Sequence, residues 1–210
     1  MSDGDGRRAA RVFDALGSVY EQAFAHSEAH RRSLEWLLGR LDPGARVLDV
    51  GSGTGRPTAE TLAGAGHHVL GVDVSPVMVE LASRQVPGAE FRCIDVRELP
   101  LEEGSFDAVC VYFSLLQLDR TQQRETVGRL ARALRTGGSL VLATVPLDVV
   151  EVDAVFMGQP VRVTSFAADA LVDVVAGAGL TVLAREDTLF TPDHPDAVPE
   201  PHLFLHCGRP

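Results

Sequence analysis

The sequence predicts a single-domain, three-layer α/β fold, with a mostly parallel sheet carrying helices on both faces. Three observations lead there. Short, nearly continuous apolar runs alternate with segments of helical periodicity, the pattern of parallel strands buried on both sides. A glycine-rich bend follows the first run and leads into a helix. The last two runs have no helical segment between them, only the proline-rich TPDHPDAVPE, so the final strand is expected to be antiparallel.

Residues 1–6 read as a frayed tail and residues 18–41 as an N-terminal helical cap. Within that cap, SEAHRRSLEWLLGRL sets Leu34, Leu37, Leu38 and Leu41 at helical spacing, with Ser27 as N-cap, and Asp42, Pro43 and Gly44 end it. RVLDV (46–50) is the first strand and PTAETLAGAG (57–66) the helix after it. HVLGVD (68–73) is the second strand, and Ser75 with Pro76 opens the helix VMVELASRQ. EFRCID (90–95) and FDAVCVYF (106–113) are the third and fourth strands. A helix with Val127, Leu130 and Leu134 on one face precedes the fifth strand, SLVLATV (139–145). Residues 146–164 form an insert whose Val155, Phe156 and Met157 suit an apolar lid. FAADALVDVVAGAG (166–179) is a helix capped by Thr164 or Ser165, and LTVLARE (180–186) and HLFLHC (202–207) close the sheet.

A chain of 210 residues with 45% apolar content can bury one full core. Its net charge of −10 repels phosphate backbones and acidic membranes, so neither a nucleic acid nor a membrane is an expected partner. The two arginines near the start are not followed by an apolar signal region, and a cytoplasmic location is expected. Three cysteines without CxxC spacing do not suit a disulfide frame or a zinc site, and Cys110 in AVCVYF reads as a small buried hydrophobe. No metal site is expected, because no carboxylate or cysteine has spacing that matches the His202/His206 pair.

In such sheets, ligands sit beyond the carboxyl ends of the parallel strands. The sharpest feature there is VLDVGSGTG (47–55). Gly51, Gly53 and Gly55 permit a tight bend and close approach of backbone to a ligand, and the next helix offers its N–H groups to an anion. The dinucleotide fingerprint places a third glycine where this chain has Arg56, and Asp49 precedes the bend, so a different adenosine-containing ligand is favoured over NAD. Asp73 ends the second strand, where its carboxylate can accept both ribose hydroxyls. Asp95 ends the third, and with the N–H of Val96 offers an acceptor and a donor that match the adenine N6 amine and N1.

The set VLDVGSGTG, VLGVDVS, CIDVRELPLEEGSFDAV and LRTGGSLVLATVP resembles the successive motifs of class I S-adenosylmethionine-dependent methyltransferases, nearest to their small-molecule, ubiquinone-biosynthesis-like branch. The resemblance implies a Rossmann-like, seven-stranded sheet in the order 3-2-1-4-5-7-6. It implies that Asp49, Gly51 and Gly53 line the methionine part of the cofactor, that Asp73 takes the ribose, and that Val74 and Met78 flank adenine while Asp95 and Val96 read its edge. Tyr112 would lie by the methionine or the transferring methyl, and Tyr20 resembles the tyrosine that closes over the cofactor in many relatives. Many of those relatives carry paired histidines where this chain has Leu116 and Gln117.

The expected reaction is methyl transfer to a small-molecule acceptor, in which alignment of donor and acceptor supplies much of the acceleration. His26 and His194 are the candidate catalytic bases, with His202 a further one and Glu200 or Asp193 as partners. Three other readings stand beside this: a nicotinamide-dependent oxidoreductase, a cofactor-binding module without transfer, and a non-transfer reaction such as a cyclisation.

Overall fold

The computed structural model describes residues 3–210, with side chains from residue 6 onward. Three helices come first: α1 (Asp3–Leu16), α2 (Ser18–Phe24) and α3 (Glu28–Leu38). The alternating part runs β1 (Arg46–Val50), α4 (Thr58–Gly64), β2 (His68–Asp73), α5 (Pro76–Gln85), β3 (Glu90–Cys93), β4 (Phe106–Tyr112), α6 (Arg120–Ala133) and β5 (Leu134–Thr144). A hairpin of β6 (Val152–Phe156) and β7 (Gln159–Val163) follows, then α7 (Ala168–Gly177), β8 (Thr181–Phe190) and β9 (Glu200–Gly208).

The main sheet has seven strands in the order β3-β2-β1-β4-β5-β9-β8, and β6 pairs with β7 in a sheet of their own. With that hairpin set aside, β9 and β8 are the seventh and sixth strands of the main sheet, which is the expected order. β3, β2, β1, β4 and β5 are parallel, and β9 runs antiparallel to both its neighbours. The register sets Asp49 level with Gly71 and Cys110, so the ends of β1, β2 and β4 open onto the same edge.

Period-two alternation sends neighbouring residues to opposite faces. Leu48, Val109, Leu140 and Leu205 pack under Val127 and Leu130 of α6 and Leu171 and Val175 of α7. Val47, Ala108, Cys110, Val141 and Phe204 pack under Leu34 and Leu37 of α3 and Ala59 and Leu62 of α4. Cys110 is fully buried, as its apolar run implies. Each fully buried Leu or Phe contributes roughly 1.5–3 kcal/mol, so these two layers supply most of the fold's stability. A third, smaller cluster joins Val12, Leu16 and Ala23 to Met157 and Val161, roofing the strand ends with α1, α2 and the hairpin.

Ser27 and Ser75 cap as expected, their hydroxyls accepting from the N–H of His30 and Met78. Three expectations are corrected. Helix α1 starts at Asp3, because Ala9, Val12 and Leu16 give it a buried face; this replaces the frayed start for residues 3–6, and residues 1 and 2 lie outside the described residues. Leu134 is not on the helix face but opens β5, with ψ 142° at the α6 terminus. Helix α7 has Ala167 at its N-cap with no side-chain bond. Thr164 and Ser165 are instead buried at the base of the insert, accepting from the N–H of Glu151 (2.9 Å) and Leu147 (3.0 Å). No helix among the described residues is long and apolar enough to cross a membrane.

Candidate active site

The bend after β1 is shaped by backbone that only glycine adopts easily, with φ +68° at Gly51, +52° at Gly53 and +81° at Gly55. A Cβ at Gly51 would lie 2.2 Å from the Cβ of Ser114 in the loop after β4. At Gly53 a Cβ would meet nothing within 4 Å. The N–H groups of Gly51 and Ser52 both donate to the carbonyl of Val72, which ties the bend to β2.

Asp73 then ties the bend to the loop after β2. One of its oxygens accepts from the N–H of Gly53 and the other from the N–H of Ser75, each at 2.9 Å. Burial pushes this carboxyl up, and the backbone N–H groups of Ser75, Gly53 and Val74 pull it partly back. A carboxylate offers about four lone pairs, so at least one remains for a ligand's hydroxyl.

Asp95 follows β3 and is held by Arg97 in a bidentate pair, with Nη2–Oδ2 at 2.6 Å. Burial raises its carboxyl, but the Arg97 bonds outweigh that and leave it below the usual carboxylate range. Arg129 of α6 reaches across and donates to the carbonyls of Val96, Arg97 and Leu99 at 2.7–3.0 Å, which fixes this loop. Arg129 was not singled out from the sequence, because one-dimensional spacing shows no link between α6 and the β3 loop.

These loops surround a cleft that opens to solvent. Its walls include Tyr20, Gly51, Gly53, Asp73, Val74, Met78, Asp95, Val96 and Tyr112. An adjoining space, which shares Tyr20, Gly51, Gly53, Tyr112 and Phe113 with the first, is walled by Asp49, His30, Thr54, Thr58 and Phe24. The structure thus brings nine of the ten residues singled out as cofactor contacts to the first space and Asp49 to the adjoining one.

Helix α1 covers the first half. Ala9 and Phe13 line it, and a Cβ at Gly6 would lie 3.0 Å from an Asp95 oxygen. Asp14 accepts from the Ser75 hydroxyl (2.5 Å) and the Val77 N–H (3.4 Å), so α1 grips the start of α5. The signal for this helix was available in the Ala9, Val12, Phe13, Leu16 spacing.

The second half is largely aromatic. The Tyr20 ring lies 5.6 Å from Phe13, 4.8 Å from Phe24 and 6.3 Å from Phe156, and His30 lies 4.0 Å from Tyr112. His30 Nε2 is 3.0 Å from the Thr58 hydroxyl, and burial followed by the nearby His202 pushes its pKa down to about 3, so the ring is neutral.

His26 and His194 do not line either half. His26 is exposed on the turn between α2 and α3, and His194 is tied into its own loop, its Nδ1 accepting from the Asp196 N–H at 3.2 Å. His202 is buried behind Phe113 with its Nε2 3.2 Å from Glu200, and Asp193 is held by its backbone N–H on the Ala23 carbonyl. Gln117 lines the first half, where relatives of the resembled branch carry a histidine pair.

Residues 47–138, which hold the glycine bend and all three acids, match the family model for a methyltransferase domain. Over these residues the chain is similar to S-adenosylmethionine-dependent methyltransferase domains. The chain is 37% identical over 139 residues to the demethylmenaquinone methyltransferase of Renibacterium salmoninarum, covering 64% of this chain and 57% of that protein. The chain thus spans little more than half the length of such curated relatives. Its fold is shared with the Burkholderia thailandensis 1,6-didemethyltoxoflavin N1-methyltransferase, with TM-score 0.74, 22% identity, and 100% and 90% of the two chains covered. It is shared equally with the cyclase SpnF, with TM-score 0.74, 19% identity, and 98% and 97% covered.

The residues of the cleft fit S-adenosylmethionine, the cofactor of the methyltransferases the chain resembles. Asp49 is 2% exposed, and its Oδ2 has no hydrogen-bond partner among the described residues. Burial, then the charge of Asp73, pushes its carboxyl up to about 7. An unpaired buried acid is expensive unless a cation meets it, and the cofactor's amino-acid end carries an ammonium group. The buried hydroxyls of Ser52, Thr54 and Ser114 beside it are likewise without protein partners among the described residues.

Proposed function

We propose that this chain transfers the methyl group of S-adenosylmethionine to a small, flat, largely apolar acceptor. One observation carries the reading: Asp49, Asp73 and Asp95, from the ends of three neighbouring strands, line two adjoining spaces that share the glycine bend. When bound, the cofactor supplies an electrophilic methyl group on a sulfonium. Asp49 pairs with its ammonium, Asp73 accepts from its ribose hydroxyls, and Asp95 with Val96 reads its adenine between Val74 and Met78. Tyr20, Phe24, Tyr112 and Phe113 wall the acceptor half, and that aromatic surface favours a ring-shaped acceptor. The relatives' names point the same way, toward a menaquinone precursor and a toxoflavin precursor.

The one histidine on the acceptor wall, His30, is held neutral with a strongly depressed pKa and is a poor base. The acceleration therefore rests on orientation, which can supply roughly 7–11 kcal/mol. The charge of −10 supports a metabolite rather than a nucleic acid as acceptor.

Calorimetry with S-adenosylmethionine, S-adenosylhomocysteine and NAD tests the reading. The two sulfur compounds should bind and NAD should not. At a ligand concentration of 100 Kd, either should stabilise the fold by about 2.7 kcal/mol. Asp73→Ala should remove most of that effect. Stabilisation by NAD alone would replace the proposal with an oxidoreductase.

A further inference from the structure

We propose that Tyr112, Ser33 and His206 form a polarised hydrogen-bond relay that draws a proton away from the acceptor half of the cleft, with His206 as its accepting end. The proposal rests on the methyl-transfer reading of the cleft.

The three groups come from three elements, β4, α3 and β9. The Tyr112 hydroxyl is 3.0 Å from Ser33 Oγ, and Ser33 Oγ is 3.0 Å from His206 Nε2. All three residues are buried, Ser33 completely. Ser33 sits on the α3 face that otherwise buries Ala29, Leu34 and Leu37, where an alanine would pack without burying a hydroxyl. A polar group in such a place is stable only while its partners are met.

The chain has a direction. Among the described residues His206 Nδ1 has no hydrogen-bond partner, and the neighbouring Ala184 backbone favours a proton on the ring. With the hydrogen on Nδ1, Nε2 accepts from the Ser33 hydroxyl. Ser33 Oγ in turn accepts from the Tyr112 hydroxyl. The lone pairs of the Tyr112 oxygen are left unused by the relay, and Tyr112 lines both halves of the cleft.

A proton leaving an acceptor O–H or N–H can pass to the Tyr112 oxygen as the Tyr112 proton moves to Ser33 and the Ser33 proton to Nε2. The bond broken is the acceptor's, the bond formed is Nε2–H, and both hydroxyls end as they began. The acceptor keeps the electron pair that takes the methyl group, and His206 becomes an imidazolium. Burial holds the Tyr112 phenol well above its ordinary range, so it passes a proton rather than staying ionised. Burial also lowers His206, while the Glu186 carboxylate of β8 and the Ala184 carbonyl oppose that. The other charges close by are Arg32, paired with Glu186, and Arg40, stacked on the Trp36 ring that packs against His206. The imidazolium thus forms near the Glu186 carboxylate.

The chain has two tyrosines and seven histidines, few enough to resolve singly by NMR. Protein labelled with 15N in histidine and 13C at tyrosine Cζ is titrated from pH 8 to pH 5, with and without S-adenosylhomocysteine. His206 should be neutral at pH 8 with the proton on Nδ1, and the Tyr112 Cζ resonance should shift with the same midpoint as His206. Ser33→Ala should abolish the Tyr112 shift while His206 still titrates, and Ser33→Thr, which keeps the hydroxyl, should restore it. A proton on Nε2 at pH 8, a Tyr112 resonance that ignores His206, or coupling that survives Ser33→Ala overturns the relay. Calorimetry with S-adenosylhomocysteine on the same samples reports the methyl-transfer reading separately.

Discussion

Replacing Asp49 by asparagine should stabilise the free protein and weaken the cofactor at the same time. The carboxyl is pushed from 3.8 to about 7 by burial and then by Asp73. In the unfolded chain the group ionises near its ordinary value, whereas in the folded chain it holds its proton until about pH 7. A raised acid of this kind lowers stability progressively as pH rises from about 4, and the loss is complete above about 7. A shift of about 3 units at 1.36 kcal/mol per unit gives about 4 kcal/mol as the upper limit of that loss. Asparagine cannot ionise and escapes it. Urea unfolding at pH 5 and pH 8 checks this: the variant's advantage should be largest at pH 8 and fall to about two fifths of that at pH 5. Binding should move the other way. Loss of a charged hydrogen bond of about 1.5–3 kcal/mol weakens S-adenosylmethionine about 10- to 150-fold. The wild type, which must ionise Asp49 to pair the ammonium, should lose affinity about tenfold per pH unit below 7, and the variant should not. A variant no more stable than wild type at pH 8, or one that binds with unchanged affinity, refutes the role given to Asp49.

Gly51→Ala should abolish cofactor binding and strongly destabilise the bend, because its Cβ meets Ser114 at 2.2 Å, whereas Gly53→Ala meets nothing and should lose only about 1 kcal/mol by thermal unfolding. Asp14→Ala should lower stability by about 1 kcal/mol and speed cofactor release in stopped-flow displacement, since it frees α1 from Ser75 and Val77; unchanged release would show that α1 does not control the cleft. Arg129→Leu should weaken S-adenosylhomocysteine several-fold in calorimetry without touching it, by releasing three carbonyls around Asp95; equal affinity would show that the loop holds its shape alone. Phe204→Ala should cost about 3–5 kcal/mol in urea unfolding, as its ring is fully buried between the sheet and α3.

The sequence by itself determined the sheet, its strand order by resemblance, and the acids at its edge. Apolar runs such as RVLDV and HVLGVD can only be buried strands, and residues that end parallel strands must share an edge, so Asp49, Asp73 and Asp95 could be placed near one another from spacing alone. Local caps at Ser27 and Ser75 were legible for the same reason, since their partners lie three residues away. What only the tertiary structure decided depends on contacts between residues far apart in the chain. Asp14 reaches Ser75, Arg129 reaches the Val96 loop, and Ser33 joins Tyr112 to His206, and none of these distances is written in a local pattern. The same holds for the histidines. A residue type that suits catalysis says nothing of which way its loop turns, and packing sent His26 to solvent while it pressed His30 against Tyr112.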